Sequence, residues 1–152
     1  RPVLAEIQAL VVPSSFGNPR RVSNGVEYNR AMLLLAVLEK RGGLLLGNCD
    51  AYLNVIGGLS LDEPAADLAA MLALASSFRD KPVPSDLAAI GEVGLTGELR
   101  AVSNLGQRLS EVRRLGFTKC LIPKRIQGKL AAPEGLELIR VANIREALAA
   151  LL

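Results

Sequence analysis

The chain has 152 residues, of which 50% are hydrophobic, 22% charged and 3% aromatic, with 14 glycines, 8 prolines and a formal net charge of +3. So much aliphatic side chain at so small a charge imbalance fits one folded, soluble domain with its own core, and excludes a disordered chain or a run of roughly 18 apolar residues that could span a bilayer. The chain has no histidine, which excludes Ser-His-Asp and Cys-His sites, HExxH zinc sites and any imidazole base, so an enzyme here must work with lysine, carboxylate or backbone groups.

Residues 3–12 alternate as a strand, and 13–19, Pro-Ser-Ser-Phe-Gly-Asn-Pro, is loop chemistry. The strand-like run starts almost at once, so no signal peptide is expected, and Arg1 in place of an initiator methionine suggests a piece of a longer protein. After a short segment around Val22, residues 28–41 read as a helix stopped by Gly42-Gly43. Two strands, 44–46 and 51–56, follow through a turn at Asn48-Cys49-Asp50, and Gly57-Gly58 ends the second. Residues 64–78 form an alanine-rich helix with Pro64 in its first turn, where a missing N–H costs nothing.

Residues 87–93 and 95–102, with glycines at 91, 94 and 97, read as a strand and a tight turn. A helix over 103–115 is capped by Ser103 and stopped by Gly116. Strands at 118–122, ended by Pro123, and at 136–141 precede a last helix, 143–152, capped by Asn143. Strands and helices alternate through the second half, which argues for an α/β or α+β sandwich in a single domain, 1–152.

Projection of the 28–41 helix puts Met32, Leu35 and Leu38 on a core face, with Leu33, Leu34 and Val37 on the other side beside Arg30 and Arg41. A helix apolar nearly all round is buried on two sides, so either a second layer of the domain or another subunit covers Leu33, Leu34 and Val37. Cys49 and Cys120 form neither a CxxC pair nor a metal cluster and read as small core residues in a reducing cytoplasm.

Two glycine-rich segments fail as phosphate loops. The stretch 42–49 lacks the lysine and hydroxyl of a P-loop, and Gly91, Gly94 and Gly97 are spaced G-x-x-G-x-x-G, which is not the dinucleotide fingerprint. Charge is regional. Residues 100–129 carry Arg100, Arg108, Arg113, Arg114, Lys119, Lys124, Arg125 and Lys129 against the single acid Glu111, whereas 50–98 carry eight acids against Arg79 and Lys81. Thirteen of the 18 cations are arginine, whose planar fork suits phosphate, although a solvated helix face is the competing reading. Stacking aromatics are nearly absent, so any nucleic-acid contact would be to the backbone, without sequence readout.

The run Gly91-Glu92-Val93-Gly94-Leu95-Thr96-Gly97-Glu98-Leu99-Arg100-Ala101-Val102, continuing through Leu105 and Leu109 to Arg114-Leu115-Gly116-Phe117 and Cys120-Leu121-Ile122-Pro123-Lys124, resembles the proteolytic domain of Lon proteases. The resemblance covers essentially the whole chain and implies an α+β fold like that domain and like domain 2 of ribosomal protein S5. The family uses a Ser-Lys dyad, which needs no histidine. Its nucleophile lies in Asp-Gly-Pro-Ser-Ala-Gly, matched here by Asp62-Glu63-Pro64-Ala65-Ala66-Asp67; its base lies in Gly-Gly-Leu-Lys-Glu-Lys, matched by Ser103-Asn104-Leu105-Gly106-Gln107-Arg108. Ala65 and Gly106 therefore stand where the serine and lysine should be, so acyl transfer by that route has neither nucleophile nor base. Glu63 and Asp67 add negative charge where an oxyanion would need donors.

The stretches Gly25-Val26-Glu27-Tyr28-Asn29-Arg30, Ala36-Val37-Leu38-Glu39-Lys40-Arg41, Asn54-Val55-Ile56-Gly57-Gly58-Leu59, Glu63-Pro64-Ala65-Ala66-Asp67-Leu68-Ala69 and Ala132-Pro133-Glu134-Gly135 are similar to the carboxy-terminal domain of the bacterial RadA/Sms family of RecA-related DNA-repair ATPases. That resemblance implies a hexameric ring, a zinc finger and an ATP- and magnesium-dependent RecA-like domain upstream, a recombinase and its filament as partners, and a role in homologous recombination and branch migration. For this domain it implies no cofactor, no proteolysis, ring scaffolding and DNA-backbone contact, to which six weak basic patches would add. The DNA-contact candidates are Arg20 and Arg21 in the first loop, Arg30 and Arg41 on the first helix, and Arg113, Arg114 and Lys119 around the later one; Arg108 lies nearer the apolar stripe and snorkels. The alternatives are a pure oligomerisation or docking module without DNA contact, and a hydrolase with an unrelated site.

Overall fold

The computed structural model describes residues 4–15, 17–58 and 60–151. The expected strand start at Val3, the loop residue Phe16, Leu59 of the quoted stretch and the helix end at Leu152 lie outside the described residues.

The chain opens with β1 (Ile7–Pro13) and β2 (Arg21–Asn24), followed by helix α1 (Tyr28–Gly42) and β3 (Cys49–Val55). These strands form one sheet in the order β1-β3-β2, with β1 antiparallel and β2 parallel to β3. Its inner face buries Val11, Ala51, Leu53 and Val55. On the outer face Leu10, Tyr52 and Val22 stand in one register row across all three strands.

Helix α1 starts at Glu27, whose carboxylate accepts the N–H groups of Asn29 and Arg30, and ends at Gly43, in the left-handed region at φ 76. Only glycine adopts that cap conformation without strain. A 3₁₀ turn, Pro64–Ala66, leads into α2 (Asp67–Arg79). Then come β4 (Leu87–Ala89), a hairpin of β5 (Glu92–Val93) and β6 (Leu99–Arg100), α3 (Leu105–Arg114), β7 (Lys119–Pro123), β8 (Glu137–Val141) and α4 (Ile144–Leu151). The second sheet runs β4-β7-β8, all parallel. Cys120, Leu121 and Ile122 at its centre are fully buried, as a strand covered on both faces requires. Leu121 and Val141 join the larger core with α1, α2 and α4, while Cys120 and Ile122 join a smaller one with α3 and Ala65. The fold is α+β, as expected.

Several local expectations are corrected. Residues 44–46 form no strand: Leu44 and Leu46 are buried and Leu45 is 81% exposed, but the Leu46 N–H goes to the Glu39 carboxylate instead of a ladder. The stretch 87–93 breaks at Gly91, whose N–H binds the Ala65 carbonyl and whose carbonyl accepts the Leu68 N–H. Ser103 does not cap α3; Asn104 precedes the helix at φ 55, with no side-chain cap, and the Ser103 carbonyl accepts Arg108 Nε instead. Asn143 does cap α4, its Oδ1 accepting the Glu146 N–H at 2.8 Å.

The second face of α1 also changes meaning. Leu34 and Val37 are buried inside this chain and Leu33 is half-buried, so another layer of the same domain covers that face. Helices α2 and α4 and strand β2 pack against α1. Leu34 and Val37 are thus core residues and have no surface to offer another subunit. Of the cysteines, Cys120 is buried and Cys49 half-buried.

Candidate functional site

Ala65 sits in the turn that opens α2, and its N–H donates to Glu63 Oε1 at 3.2 Å. The two hydrogen bonds at Gly91 tie this turn to the segment between β4 and β5. Ala65 packs in the smaller core with Leu105, the residue before Gly106, and a β-carbon at Gly106 would meet open space. Ala65 lines a groove of about 650 Å³ together with Glu63, Ile90, Arg108, Glu111 and Phe117. Arg108 crosses from α3, with Nε on the Ser103 carbonyl at 2.9 Å and Nη2 at 3.4 Å from Glu63 Oε2. The ion pair thus joins the residue two before Ala65 to the residue two after Gly106. No lysine, cysteine or histidine is among the described residues that line the groove.

The cations separate into engaged and unengaged. Arg30 is committed to Asp67, a carboxylate only 4% exposed, which holds the guanidinium firmly protonated. Arg21 donates from Nη2 to the Leu46 carbonyl at 2.7 Å. Arg113 donates from Nε to the Glu134 carbonyl at 3.0 Å. Arg114 is exposed as expected but pairs with Glu111, whose carboxylate raises its pKa. Lys119 is half-buried at the head of β7, near the Asp86 carboxylate, which the Thr118 hydroxyl holds below the usual range. Arg20 and Arg41 are exposed, and their side chains bind no other described residue. Arg108, read as snorkelling, is the groove's ion-pair partner.

The seven expected contact residues therefore share no single face. Arg20 and Arg21 border the first sheet, Arg30 faces α2, Arg41 ends α1, and Arg113, Arg114 and Lys119 lie around α3 and β7. Sequence reasoning passed over Arg140, exposed on β8, because it lies beyond the basic stretch that charge counting isolates. Among the described residues no three acidic or thiol side chains gather as a metal site.

Residues 50–152 match the Lon protease (S16) C-terminal proteolytic domain. The chain belongs to this Lon proteolytic-domain family. It is 57% identical over 148 residues to "DNA repair protein RadA" of Bacillus subtilis, covering 97% of this chain and 32% of that protein. It is 51% identical to the protein of the same name from Streptococcus pneumoniae, covering 97% of this chain and 35% of the relative, and 52% identical to that of Listeria monocytogenes, covering 97% and 32%. The chain thus spans about a third of the length of the curated relatives it matches. Ala65 and Gly106, the residues that the motifs set against the family's serine and lysine, carry a methyl group and a hydrogen. No helix among the described residues is long and apolar enough to cross a membrane.

Proposed function

We propose that this chain is a non-proteolytic Lon-like domain of a RecA-related DNA-repair ATPase, which scaffolds a hexameric ring and adds DNA-backbone affinity during homologous recombination and branch migration. The observation that carries the reading is Ala65 and Gly106 at the positions the motifs match to the dyad, Ala65 lining a groove, in a chain about half identical or more to proteins named for DNA repair. Without a hydroxyl at residue 65 or an amine at residue 106, these two positions have no pair to form and resolve an acyl-enzyme. The reading assigns ATP, magnesium and zinc to the remaining two thirds of such a protein, takes DNA, further copies of itself and a recombinase filament as partners, and places it in the cytoplasm.

A second reading, an oligomerisation or docking module without DNA contact, is favoured by one feature. Leu10 and Val22, 52% and 40% exposed, flank Tyr52 on the outer face of the first sheet. With Leu34 and Val37 consumed by the core, this row is an apolar surface among the described residues that another copy could cover. Sedimentation equilibrium together with a casein-hydrolysis assay tests the scaffold reading: a mass near six chains and no turnover support it. A monomer, or turnover lost on substitution of a groove residue, contradicts it.

A further inference from the structure

The strand pairing brings Arg140 beside Lys124, at the start of a connection that also carries Arg125 and Lys129. Lys124 follows β7 directly, and its N–H binds the Val141 carbonyl, while Arg140 on β8 stands opposite Ile122 on β7. With strands about 4.8 Å apart and a rise of about 3.3 Å per residue, the Lys124 and Arg140 backbones lie roughly 8 Å apart. Arg125 and Lys129 extend the same edge through the connection that leads to β8, anchored by the half-buried Ile126 and Leu130 on the smaller core. All four side chains are exposed and none binds another described residue. No acid occurs between residues 124 and 133. Arg113 borders the group, using one nitrogen on the Glu134 carbonyl.

We infer that Lys124, Arg125, Lys129 and Arg140, with Arg113 at the margin, form the surface on which this chain takes a phosphodiester backbone. The inference rests on the DNA reading above and moves the contact away from Arg30 and Arg114, whose charges are already paired with Asp67 and Glu111. Exposed cations without carboxylate partners are the ones whose condensed-ion exchange with phosphate drives salt-dependent binding. The surface has no aromatic side chain to stack a base, so recognition is by charge and does not read sequence.

The test compares three proteins on labelled single-stranded and duplex oligonucleotides across salt: the wild type, K124A/R125A/K129A/R140A, and K40A/R79A/R100A/R145A. The last removes four exposed charges from elsewhere. The first variant should lose at least about tenfold in affinity at 0.1 M salt, with the log-log salt slope shallower by about 3, while the second changes less than about threefold. The charge-conserving K124R/R125K/K129R/R140K should bind as the wild type does, which separates lost charge from lost folding. Equal slopes for wild type and first variant would leave these residues as guards of an open sheet edge and overturn the inference, as would an equal loss in both alanine variants. A wild type that binds neither oligonucleotide at low salt refutes the DNA reading itself, and this inference with it. The better-bound oligonucleotide identifies the strand form.

Discussion

Arg30 and Asp67, 37 residues apart, form a two-point ion pair between α1 and α2, and the Asp67 carboxylate also accepts the Val93 N–H at 3.1 Å. One buried acid thereby fixes two helices and the start of the hairpin. It also gives Arg30 a structural role, since a guanidinium whose Nε–Nη2 edge is held by a carboxylate is poorly placed to grip phosphate. Asp67→Ala should lower the unfolding free energy by about 3 kcal/mol, because it leaves a half-buried cation and a buried N–H without acceptors. Arg30→Ala should cost a similar amount and leave DNA affinity within about threefold. Urea unfolding and oligonucleotide binding check the two halves.

The cysteines should behave differently toward thiol reagents. Burial pushes the Cys120 thiol up to about 12, whereas Cys49 is half-buried. A disulfide reagent at pH 8 should therefore label Cys49 while Cys120 stays protected until the chain unfolds. Because the folded pKa lies above the unfolded value of 9.0, the contribution from neutral Cys120 is intact below pH 9 and lost as pH rises towards 12. Cys120→Ala should flatten that alkaline decline in melting temperature.

Gly97 is a second fixed point. Its φ is 82, and a β-carbon there would meet the Arg41 β-carbon at 2.9 Å and Ile144 Cγ2 at 3.1 Å, where the hairpin turn packs on α1 and α4. Gly97→Ala should destabilise by more than about 1 kcal/mol, from backbone conformation and contact together. Asn143→Ala, which removes the α4 cap and the long Nδ2 contact to Glu146, should cost about 1 kcal/mol. Thermal melts of the two variants test this order.

Restoring the dyad should not restore chemistry. In Ala65→Ser/Gly106→Lys the Glu63 carboxylate would still occupy the N–H of residue 65, and the Arg108 ion pair would still cross the groove. An oxyanion needs donors at that point and would find a carboxylate already on one of them. Casein turnover by this double variant should remain at background.

What sequence revealed, and what it concealed, divides along physical lines. Local signals read well: Asn143 with Glu146 three residues on marks a cap, and the glycines at 42 and 43 end α1. Ser103 failed because capping depends on backbone conformation, and the chain places Asn104 in the left-handed region just before α3. For Leu34 and Val37 both a second layer and another subunit stayed open, because projection sees which faces are apolar but not which layers of the same chain lie over them. The motif match nominates Ala65 and Gly106, but nothing local signals Arg30 with Asp67 or Arg108 with Glu63, since those pairs form only after the helices dock. For the same reason a count of cations could not separate Arg114, paired with Glu111, from Arg125, which is unpaired among the described residues.

The most direct test of the account is the affinity of the wild-type chain for a labelled oligonucleotide, measured by fluorescence anisotropy from about 0.05 to 0.3 M salt, where each phosphate neutralised contributes a slope of about −0.7 to −0.9. The account predicts binding at low salt that weakens with a log-log slope of about −3 or steeper and does not depend on base sequence. Absence of binding at the lowest salt, or an affinity indifferent to salt, would contradict it.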